Sequence, residues 1–369
     1  MSGDRSVVTF LSRGSDFRRS QEGRTHEDVA RKLADIQGYD FIGTYDPARA
    51  YGRRLFFVPD DTLLLAHARR LGIVSADDLF GGVVPSGFVK TKAITHELVG
   101  RDAERPDGWS HAFSERVRQV VLPGYTAFSR ADVRTAGARL LRLGPVRVKQ
   151  PLAAGGRGQC VVTTLPEIDC ATADIPEDQL AECGCVLESQ LDKADTLSIG
   201  HVALRDVTIT YYGRQQFTND ATGRCAYGGS TLVCVRGGWD ALNRLDVTPA
   251  IRTAMEQAQT YDAASVEYDL IASRRNYDVG QGFDADGRWR SGVFEQGWRV
   301  GGASGAEALA LEALRRDPQL DVVHAATVQA YGNDLEAPPA ALIHFRGEDG
   351  DSGPMLRYSV VQRCARLAA

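Results

Sequence analysis

The apolar and polar positions in the first third of the chain alternate between strand-like and helix-like patterns. Three short apolar runs predict strands at residues 7–11, 40–43 and 55–59. A capping box at residues 25–28 predicts the start of a helix that Gly38 ends, and residues 62–71 predict a second helix. Because strands alternate with helices, this region is expected to be an α/β lobe with a largely parallel sheet.

The rest of the chain has fewer helical segments and more strands separated by short turns. The predicted elements, in chain order, are a helix after Ser129, strands at 146–149, 160–163 and 207–212, a helix at 249–261, a hairpin with arms 277–283 and 289–294, and a helix at 306–316. A tail with mixed strand signals follows. Glycine and proline at residues 81–87 interrupt the pattern and mark a first boundary between structural units.

Composition narrows the class of protein. The 369 residues are 43% hydrophobic and 25% charged, with a formal net charge of -5. A weakly acidic chain is expected to bind neither nucleic acid nor an acidic membrane surface, and no segment approaches the roughly 20 apolar residues that span a bilayer. A cytoplasmic enzyme is therefore expected. The seven cysteines form no C-x-x-C pair, which favours reduced thiols over a zinc site.

The most informative stretch is a lysine followed by a glycine-rich turn. Lys149 closes a predicted strand, and Gly155, Gly156 and Gly158 precede the next one. The backbone N–H groups of such a turn can approach phosphate oxygens closely, and the Lys149 ammonium would add a positive charge beside them. The stretch is not a Walker A loop, which needs a lysine and a hydroxyl residue after the second glycine. A purely structural turn is the alternative interpretation.

Three carboxylates are candidates for contacting a nucleotide or binding a metal. Glu188 ends an apolar strand, where it could meet the edge of an adenine or simply face solvent. Asp278 and Glu295 lie at similar distances on either side of the hairpin turn, so they are expected to face each other near its base. Such a pair suits Mg²⁺, which prefers carboxylate oxygens and keeps several waters. Glu267 and Asp269, on another expected strand, are alternatives to Asp278.

An arginine lies close to these hairpin acids in the sequence. Arg299 follows Glu295 by four residues and precedes a glycine turn. Its guanidinium could hold a carboxylate or phosphoryl oxygen through two hydrogen bonds, although a surface ion pair is the alternative. The isolated histidines His96 and His201 show no ligand spacing and are interpreted as surface or core residues.

The order of these elements resembles the ATP-grasp superfamily: a lysine at a strand end before a glycine-rich loop, a strand ending in Glu at the adenine hinge, and a hairpin with the pattern E-x-N-x-R. The resemblance covers roughly residues 123–305, and the phrases at 122–128 and 294–299 are similar to an uncharacterised bacterial family at the edge of that superfamily. It implies an α/β (α+β) ATP-grasp fold. The implied parts are an N-terminal α/β lobe at 1–88, a linker and lid subdomain at 89–191, and a C-terminal antiparallel-sheet lobe at 192–369.

The resemblance also implies the cofactors ATP and Mg²⁺ and a role for each site residue. The implied residues are Lys92, Lys149, Gly155, Gly156, Arg157, Gly158, Glu188 and Leu191 for the nucleotide, Asp278 and Glu295 for the metal, and Lys149 and Arg299 for catalysis. Lys90 competes with Lys92 for the second lysine position. The implied partners are small carboxylate and amine substrates, with homo-oligomerisation left open.

One position departs from the superfamily's pattern. Gly297 stands where the pattern has Asn, so a side-chain oxygen that usually completes the shell of a second metal is missing. Water or Gln296 replaces it, or only one metal binds tightly, or catalysis has been lost.

The function expected from the resemblance is a Mg-ATP-dependent ligase that activates a carboxylate as an acyl phosphate for attack by an amine or thiol. One alternative is a degenerate ATP-grasp protein that binds nucleotide without turnover. Another is a serine hydrolase that uses Ser304 in residues 302–306, which nearly fit the G-x-S-x-G pattern.

Overall fold

The first strand and its two neighbours form a parallel sheet. The computed structural model describes residues 5–152 and 158–366 of the chain. Strands β1 (Arg5–Phe10), β2 (Asp40–Thr44) and β3 (Arg54–Pro59) pair in the order β2-β1-β3, and both pairings are parallel. Helices α1 (Ser15–Arg19) and α2 (Gln21–Gln37) connect β1 to β2. The prediction of a parallel α/β lobe is confirmed.

Helix α2 begins earlier than the sequence pattern indicated. Its N-cap is Ser20, whose Oγ accepts a hydrogen bond from the backbone N–H of Gly23. The predicted capping box at residues 25–28 therefore lies inside the helix, where the Thr25 hydroxyl donates to a backbone carbonyl one turn earlier. The helix ends at Gly38 as predicted, because φ there is 68°, a left-handed conformation that glycine adopts without steric cost.

Short elements connect this lobe to the centre of the molecule. They are β4 (Leu63–Leu64), α3 (Leu65–Arg70), β5 (Gly82–Val84), α4 (His111–Val117) and three 3-10 turns at Ala76–Asp78, Gly87–Lys90 and Lys92–Thr95. The predicted helix at 62–71 is thus shorter than expected. Its first residues, Leu63 and Leu64, pair with β5 and are held extended.

A small antiparallel sheet follows, covered by helices. Its elements are β6 (Gly124–Ala127), α5 (Arg130–Leu140), β7 (Val146–Lys149), β8 (Gln159–Val162), α6 (Leu165–Thr172), α7 (Glu177–Cys183) and β9 (Cys185–Ser189). The strand order is β6-β9-β7-β8. Ser129 caps α5 as predicted. Because β9 is a central strand between β6 and β7, its side chains are buried.

An eight-stranded antiparallel sheet dominates the C-terminal half, in the order β15-β14-β10-β11-β12-β16-β18-β17. Its strands are β10 (Asp192–Leu204), β11 (Val207–Asn219), β12 (Cys225–Arg236), β14 (Arg274–Phe283), β15 (Trp289–Gly297), β16 (Val322–Tyr331), β17 (Leu342–Glu348) and β18 (Pro354–Ala365). The remaining elements are α8 (Trp239–Asn243), α9 (Pro249–Ala264), α10 (Ser304–Arg316), the short strand β13 (Ile271–Ala272) and 3-10 turns at Ser265–Tyr268 and Gly350–Ser352.

Helices cover the large sheet on both faces. The helix α9 packs in one buried cluster with Ile199, and α10 packs in another with Val202, because alternate residues of β10 point to opposite faces. Leu33 of α2 belongs to the same cluster as α10, so the N-terminal lobe and the large sheet share a core. Within the described ranges, no helix has the length and apolar content needed to cross a membrane.

Candidate active site

The hairpin of β14 and β15 carries two facing carboxylates. Asp278 pairs directly with Glu295 across the two strands, as their spacing from the turn predicted. Ser198 Oγ and Asn276 Nδ2 donate hydrogen bonds to Asp278 Oδ1 at 3.1 and 2.9 Å. Burial, and then the neighbouring Glu295 carboxylate, raise the pKa of Asp278. Burial, which is the larger cause, disfavours the charged carboxylate, and the charge of Glu295 adds to this effect.

Two lysines place positive charge beside Glu295. Lys92 Nζ lies 3.1 Å from Glu295 Oε2, and the lysine side chain is 4% exposed. Burial alone would raise the pKa of Glu295, but Lys92 and then Lys149 outweigh it, so the pKa is lowered. Lys90 instead binds Asp61 Oδ2 at 2.6 Å. Of the two candidate lysines, Lys92 is the one that reaches the hairpin.

A buried triad lies on the small sheet. Lys149 Nζ is 2.6 Å from Glu188 Oε1, and His96 Nε2 is 3.1 Å from Glu188 Oε2. All three side chains are at most 3% exposed. Burial acts to raise the pKa of Glu188, but Lys149 and then His96 outweigh it and lower the pKa to about 2. The contact of His96 with Glu188 could not be predicted from the sequence, because the two residues lie 92 positions apart.

One aromatic ring joins this triad to the hairpin acids. The ammonium of Lys149 lies 4.4 Å from the centroid of the Phe294 ring, and Phe294 directly precedes Glu295 on β15. The ring packs on Gly280, where a Cβ atom would overlap it. Lys149 on the small sheet and Glu295 on the large sheet therefore lie close to one another, and the ring holds the ammonium by a cation–π contact.

The turn after Lys149 is closed at its base. The backbone N–H of Gln150 donates to the carbonyl of Gly158 at 2.9 Å, and Gly158 has φ of 63°, which favours glycine. The predicted lid residues Gly155, Gly156 and Arg157 lie outside the described residues. Leu191, the other predicted adenine neighbour, is 5% exposed and follows β9 by two residues.

A second buried ion pair supports the hairpin end. Arg274 Nε and Nη2 each donate to Glu307 at 2.8 Å, and Nη1 donates to the carbonyls of Gly297 and Arg299 at 3.0 and 2.5 Å. The Tyr211 hydroxyl lies 2.5 Å from Glu307 Oε1. Sequence reasoning missed this group, since its members come from β11, β14 and α10.

Arg299 follows the strand that carries Glu295, and its charge is one of the smaller contributions that lower the pKa of Glu295. Among the described residues, its side chain donates one hydrogen bond, from Nη1 to the carbonyl of Val300 at 2.9 Å. Burial lowers the pKa of Arg299.

The neighbours of Gly297 show whether another side chain takes the place of the asparagine in the superfamily's pattern. Gln296 does not replace the missing asparagine, because its side chain binds the carbonyls of Val89 and Thr91 instead. Directly opposite Gly297 stands Asn276, whose amide bonds to Asp278. The described residues contain no group of three or more His, Cys, Asp or Glu side chains that could hold a metal. Asp278 and Glu295 offer carboxylate oxygens, which are ligands that Mg²⁺ prefers, and an ion held by them would take its other ligands from water and phosphate.

The other acidic candidates lie elsewhere. Glu267 pairs with Arg116 at 2.8 Å on the surface. Asp269 follows a 3-10 turn, with φ of 47°. The expectation that these two residues lie on a strand is wrong, because the chain turns there to leave α9.

The serine candidate is not accessible. Ser304 is fully buried at the start of α10, and its Oγ accepts a hydrogen bond from the backbone N–H of Gly301 at 3.0 Å. A different serine, Ser359, does lie 2.9 Å from His344 Nε2, with Asp28 at 3.1 Å from Nδ1 of the same ring. Ser359 is 0% exposed, however, and is packed against Gly305. This arrangement stabilises the core and leaves no room for an acyl group.

The parallel N-terminal lobe, the small antiparallel sheet and the large antiparallel sheet define the class of protein: the chain has the ATP-grasp fold. The biotin carboxylase domain of 2-oxoglutarate carboxylase from Hydrogenobacter thermophilus, solved with MgADP and bicarbonate, is 9% identical, with a TM-score of 0.56 over 98% of this chain and 87% of that one. Phosphoribosylamine–glycine ligase from Thermotoga maritima is 15% identical, with a TM-score of 0.53 over 96% and 91%. Carboxyaminoimidazole ribonucleotide synthase from Aspergillus clavatus, solved with ATP, is 13% identical, with a TM-score of 0.50 over 97% and 94%. Likeness at these identities shows the fold alone.

The family follows from the sequence. The model of the family described as "Protein of unknown function (DUF3182)" matches residues 10–359, so the chain belongs to that family. No curated protein sequence matches the chain.

Proposed function

We propose that this protein is a Mg-ATP-dependent ligase that activates a carboxylate as an acyl phosphate for attack by an amine or a thiol. The observation that carries the proposal is that two lysines lie beside the two hairpin acids, with Lys92 on Glu295 and Lys149 on the adjacent Phe294 ring. Proteins of the same fold, which by name are a ligase, a synthase and a carboxylase domain, support it, since two of them hold ATP or ADP.

In this proposal different groups of residues bind the phosphates and the adenine of ATP. Lys149 and Lys92 bind phosphate oxygens, the turn containing Gly155, Gly156, Arg157 and Gly158 covers them, and Glu188 and Leu191 meet the adenine. The proposal includes a division of the chain into three structural units, at residues 1–88, 89–191 and 192–369. Lys149 would leave or share its contact with Glu188, at 2.6 Å, when a phosphate arrives. An ammonium group can do so because it has three donors and no fixed plane.

Asp278 and Glu295 would hold Mg²⁺, which would neutralise phosphate charge when bound. Asn276 and Ser198 orient Asp278 by donating hydrogen bonds to its Oδ1. Lys92 balances the remaining charge of Glu295. The chain's own contribution is mainly positioning and electrostatic stabilisation.

The proposed chemistry has two steps. A carboxylate oxygen of the acceptor attacks the γ-phosphorus of ATP, and the bond from that phosphorus to ADP breaks. An amine or thiol then attacks the acyl carbon, the carbon–oxygen bond to phosphate breaks, and the nucleophile gives up its proton. Arg299 would stabilise the oxyanion that forms during the second step, and no covalent intermediate with the enzyme is needed.

Release of ADP tests the proposal directly. Purified protein with Mg-ATP is incubated with pooled carboxylates, each pool with and without amines or thiols. We expect one pool to raise ADP release above background, and Lys149→Met to abolish the increase. Lys193→Met is the matched control, because that lysine lies on the exposed start of β10. Absence of ADP release in every pool, from protein that binds ATP, would count against ligase activity.

A degenerate protein that binds nucleotide without turnover is the second candidate, and Gly297 favours it. The Arg274 guanidinium lies near the place where an asparagine side chain would start, at 4.0 Å from a Cβ at Gly297. A degenerate protein would be stabilised against thermal unfolding by ATP and would release no ADP with any pool of substrates. A ligase would be stabilised by ATP and would also release ADP with at least one pool.

A further inference from the structure

Lys149 shares its face of the small sheet with a second cation. Arg147 lies two residues earlier on β7, and alternate residues of a strand point to the same face. Val146 and Val148, which point the other way, belong to the buried cluster that includes residues of α5. Arg147 also pairs directly with Glu188 across β7 and β9, so both cations and this acid are on one face.

The carboxylate opposite Arg147 already has two other partners. Glu188 lies 2.6 Å from Lys149 Nζ and 3.1 Å from His96 Nε2. Within the described ranges of the chain, Arg147 forms no ion pair with Glu188 or with any other acid. A ligand can take the place of such a partner, because a guanidinium binds both oxyanions and the faces of aromatic rings.

Two amide side chains hold the guanidinium by its edge. Arg147 Nε donates to Gln190 Oε1 at 2.9 Å, and Nη1 donates to Gln159 Oε1 at 3.4 Å. Gln190 Nε2 in turn donates to the carbonyl of Leu191 at 2.6 Å. Arg147 is thus joined through Gln190 to the segment after β9, where the proposed function has the adenine. Because hydrogen bonds to a guanidinium lie in its plane, these two leave the faces of the plane to a stacked ring.

The surface around Arg147 is open. Arg147 is half-buried, whereas Lys149 on the same face is buried. Val161, the direct neighbour of Arg147 on β8, is exposed. Since directly paired residues lie on the same face of a sheet, Val161 and Arg147 form one partly apolar surface beside Lys149. A flat ring placed there would bury part of Val161 and would also contact the guanidinium.

We propose that Arg147 is a specificity-determining residue: the adenine ring of ATP lies on the face of its guanidinium, and the triphosphate lies at Lys149. The inference rests on the proposed function, in which Lys149 binds phosphate oxygens and Leu191 meets the adenine. Two residues of a strand span roughly 7 Å, so the two side chains contact different parts of the nucleotide. A cation–π contact strengthens binding about 2- to 30-fold, and here it distinguishes a nucleotide from a bare triphosphate.

Two ligands separate a contact to the base from a contact to the phosphates. Mg-ATP and Mg-tripolyphosphate, which lacks the base and the ribose, are titrated into the full chain by calorimetry. We expect Arg147→Gln to weaken Mg-ATP binding about 3- to 30-fold and to leave Mg-tripolyphosphate binding within about twofold of wild type. Lys149→Met should weaken the binding of both ligands, because it removes a phosphate contact. Arg142→Gln, at an exposed arginine after α5, is the control and should bind both ligands as wild type does.

Arg147→Lys is the second variant, since it keeps the charge and removes the planar group. Thermal unfolding confirms that each variant is folded. Weakened Mg-ATP binding in both Arg147 variants, with tripolyphosphate binding intact, supports the inference. Three results overturn it: an equal loss for both ligands, full recovery in Arg147→Lys, or unchanged Mg-ATP binding in a folded Arg147→Gln.

The same titrations separate this inference from the proposed function. Mg-ATP binding that depends on Arg147, in a protein that releases no ADP with any pool, rejects the ligase and keeps the base contact. ADP release that depends on Lys149, with Arg147→Gln binding Mg-ATP as wild type does, keeps the ligase and rejects the base contact. A wild-type chain that binds neither ligand rejects both.

Discussion

Two buried ion pairs contact the hairpin of β14 and β15, and they are built differently. Lys149 and Glu188 on the small sheet are joined by one contact of 2.6 Å, and the ammonium also rests on the Phe294 ring. Arg274 and Glu307 under the large sheet are joined by two parallel hydrogen bonds of 2.8 Å, and the third nitrogen of the guanidinium binds two backbone carbonyls. Both pairs are at most 3% exposed.

We propose that the difference separates a functional pair from a structural one. A guanidinium with all its nitrogens bound to fixed partners holds the hairpin end in one geometry. A lysine ammonium with a single carboxylate partner can turn to a phosphate, and Glu188 then keeps its hydrogen bond to His96. In this proposal the number of partners that a buried cation already has, together with its burial and charge, decides whether it can bind a nucleotide.

The largest effect is expected from Glu307→Ala. Removing this acid leaves Arg274 buried without a counter-ion, which should lower the free energy of unfolding by about 3–5 kcal/mol. Urea unfolding followed by circular dichroism measures it. Asp195→Asn, which breaks an exposed pair with Arg214, is the control and should cost less than about 1 kcal/mol. A loss as small as the control would mean that the Arg274 pair does not support the hairpin.

Low pH should weaken the ion pair between Lys149 and Glu188. The pKa of Glu188 is about 2 in the folded protein against an ordinary value of 4.5, so its stabilisation is complete above pH 4.5 and is lost as the pH falls towards 2. The shift corresponds to about 3 kcal/mol. The difference in unfolding free energy between wild type and Glu188→Gln should shrink by that amount between pH 5 and pH 2. A difference that does not change with pH would show that Lys149 and His96 do not stabilise the ionised carboxylate.

Nucleotide affinity should depend on Lys149. Removing a charge-assisted hydrogen bond to phosphate costs about 1.5–3 kcal/mol, so Lys149→Met should weaken Mg-ATP binding roughly 10- to 150-fold. Calorimetric titration measures the dissociation constant, with Lys193→Met as the control. If Lys149→Met binds Mg-ATP as wild type does, then the single-contact pair is structural as well, and the distinction drawn between the two pairs is wrong.

The smallest effect is expected from Gly297→Asn, which restores the asparagine beside the Arg274 pair. A Cβ at this position has Arg274 Nη1 as its nearest neighbour, at 4.0 Å, so the side chain should fit at a cost below about 1 kcal/mol. We expect Mg²⁺ to bind several-fold more tightly in the presence of ATP. Gly238→Asn, where a Cβ would have no atom within 4 Å, is the control. Weaker Mg²⁺ binding in Gly297→Asn would indicate that the arginine excludes a second metal.

The elements close to one another in the sequence were predicted well. The hairpin turn brought Asp278 and Glu295 to the same end of the two strands, as expected. Their direct pairing, and that of Asn276 with Gly297, also depends on a shift of register by one residue between Val279 and Asp278, which the sequence did not reveal. The start of α2 was misplaced because a good capping pattern at residues 25–28 lies inside a helix that Ser20 already caps.

By itself the sequence determined the local framework: the parallel lobe, the lysine at the end of β7 and the facing acids of the hairpin, since each depends on residues a few positions apart. The tertiary structure alone decided which partners those groups meet. Glu188 binds His96 from 92 positions away, and Arg357 binds Gln21 from 336 positions away. Such contacts form only when separate sheets and helices pack together. The sequence between the two partners does not indicate that they will be in contact.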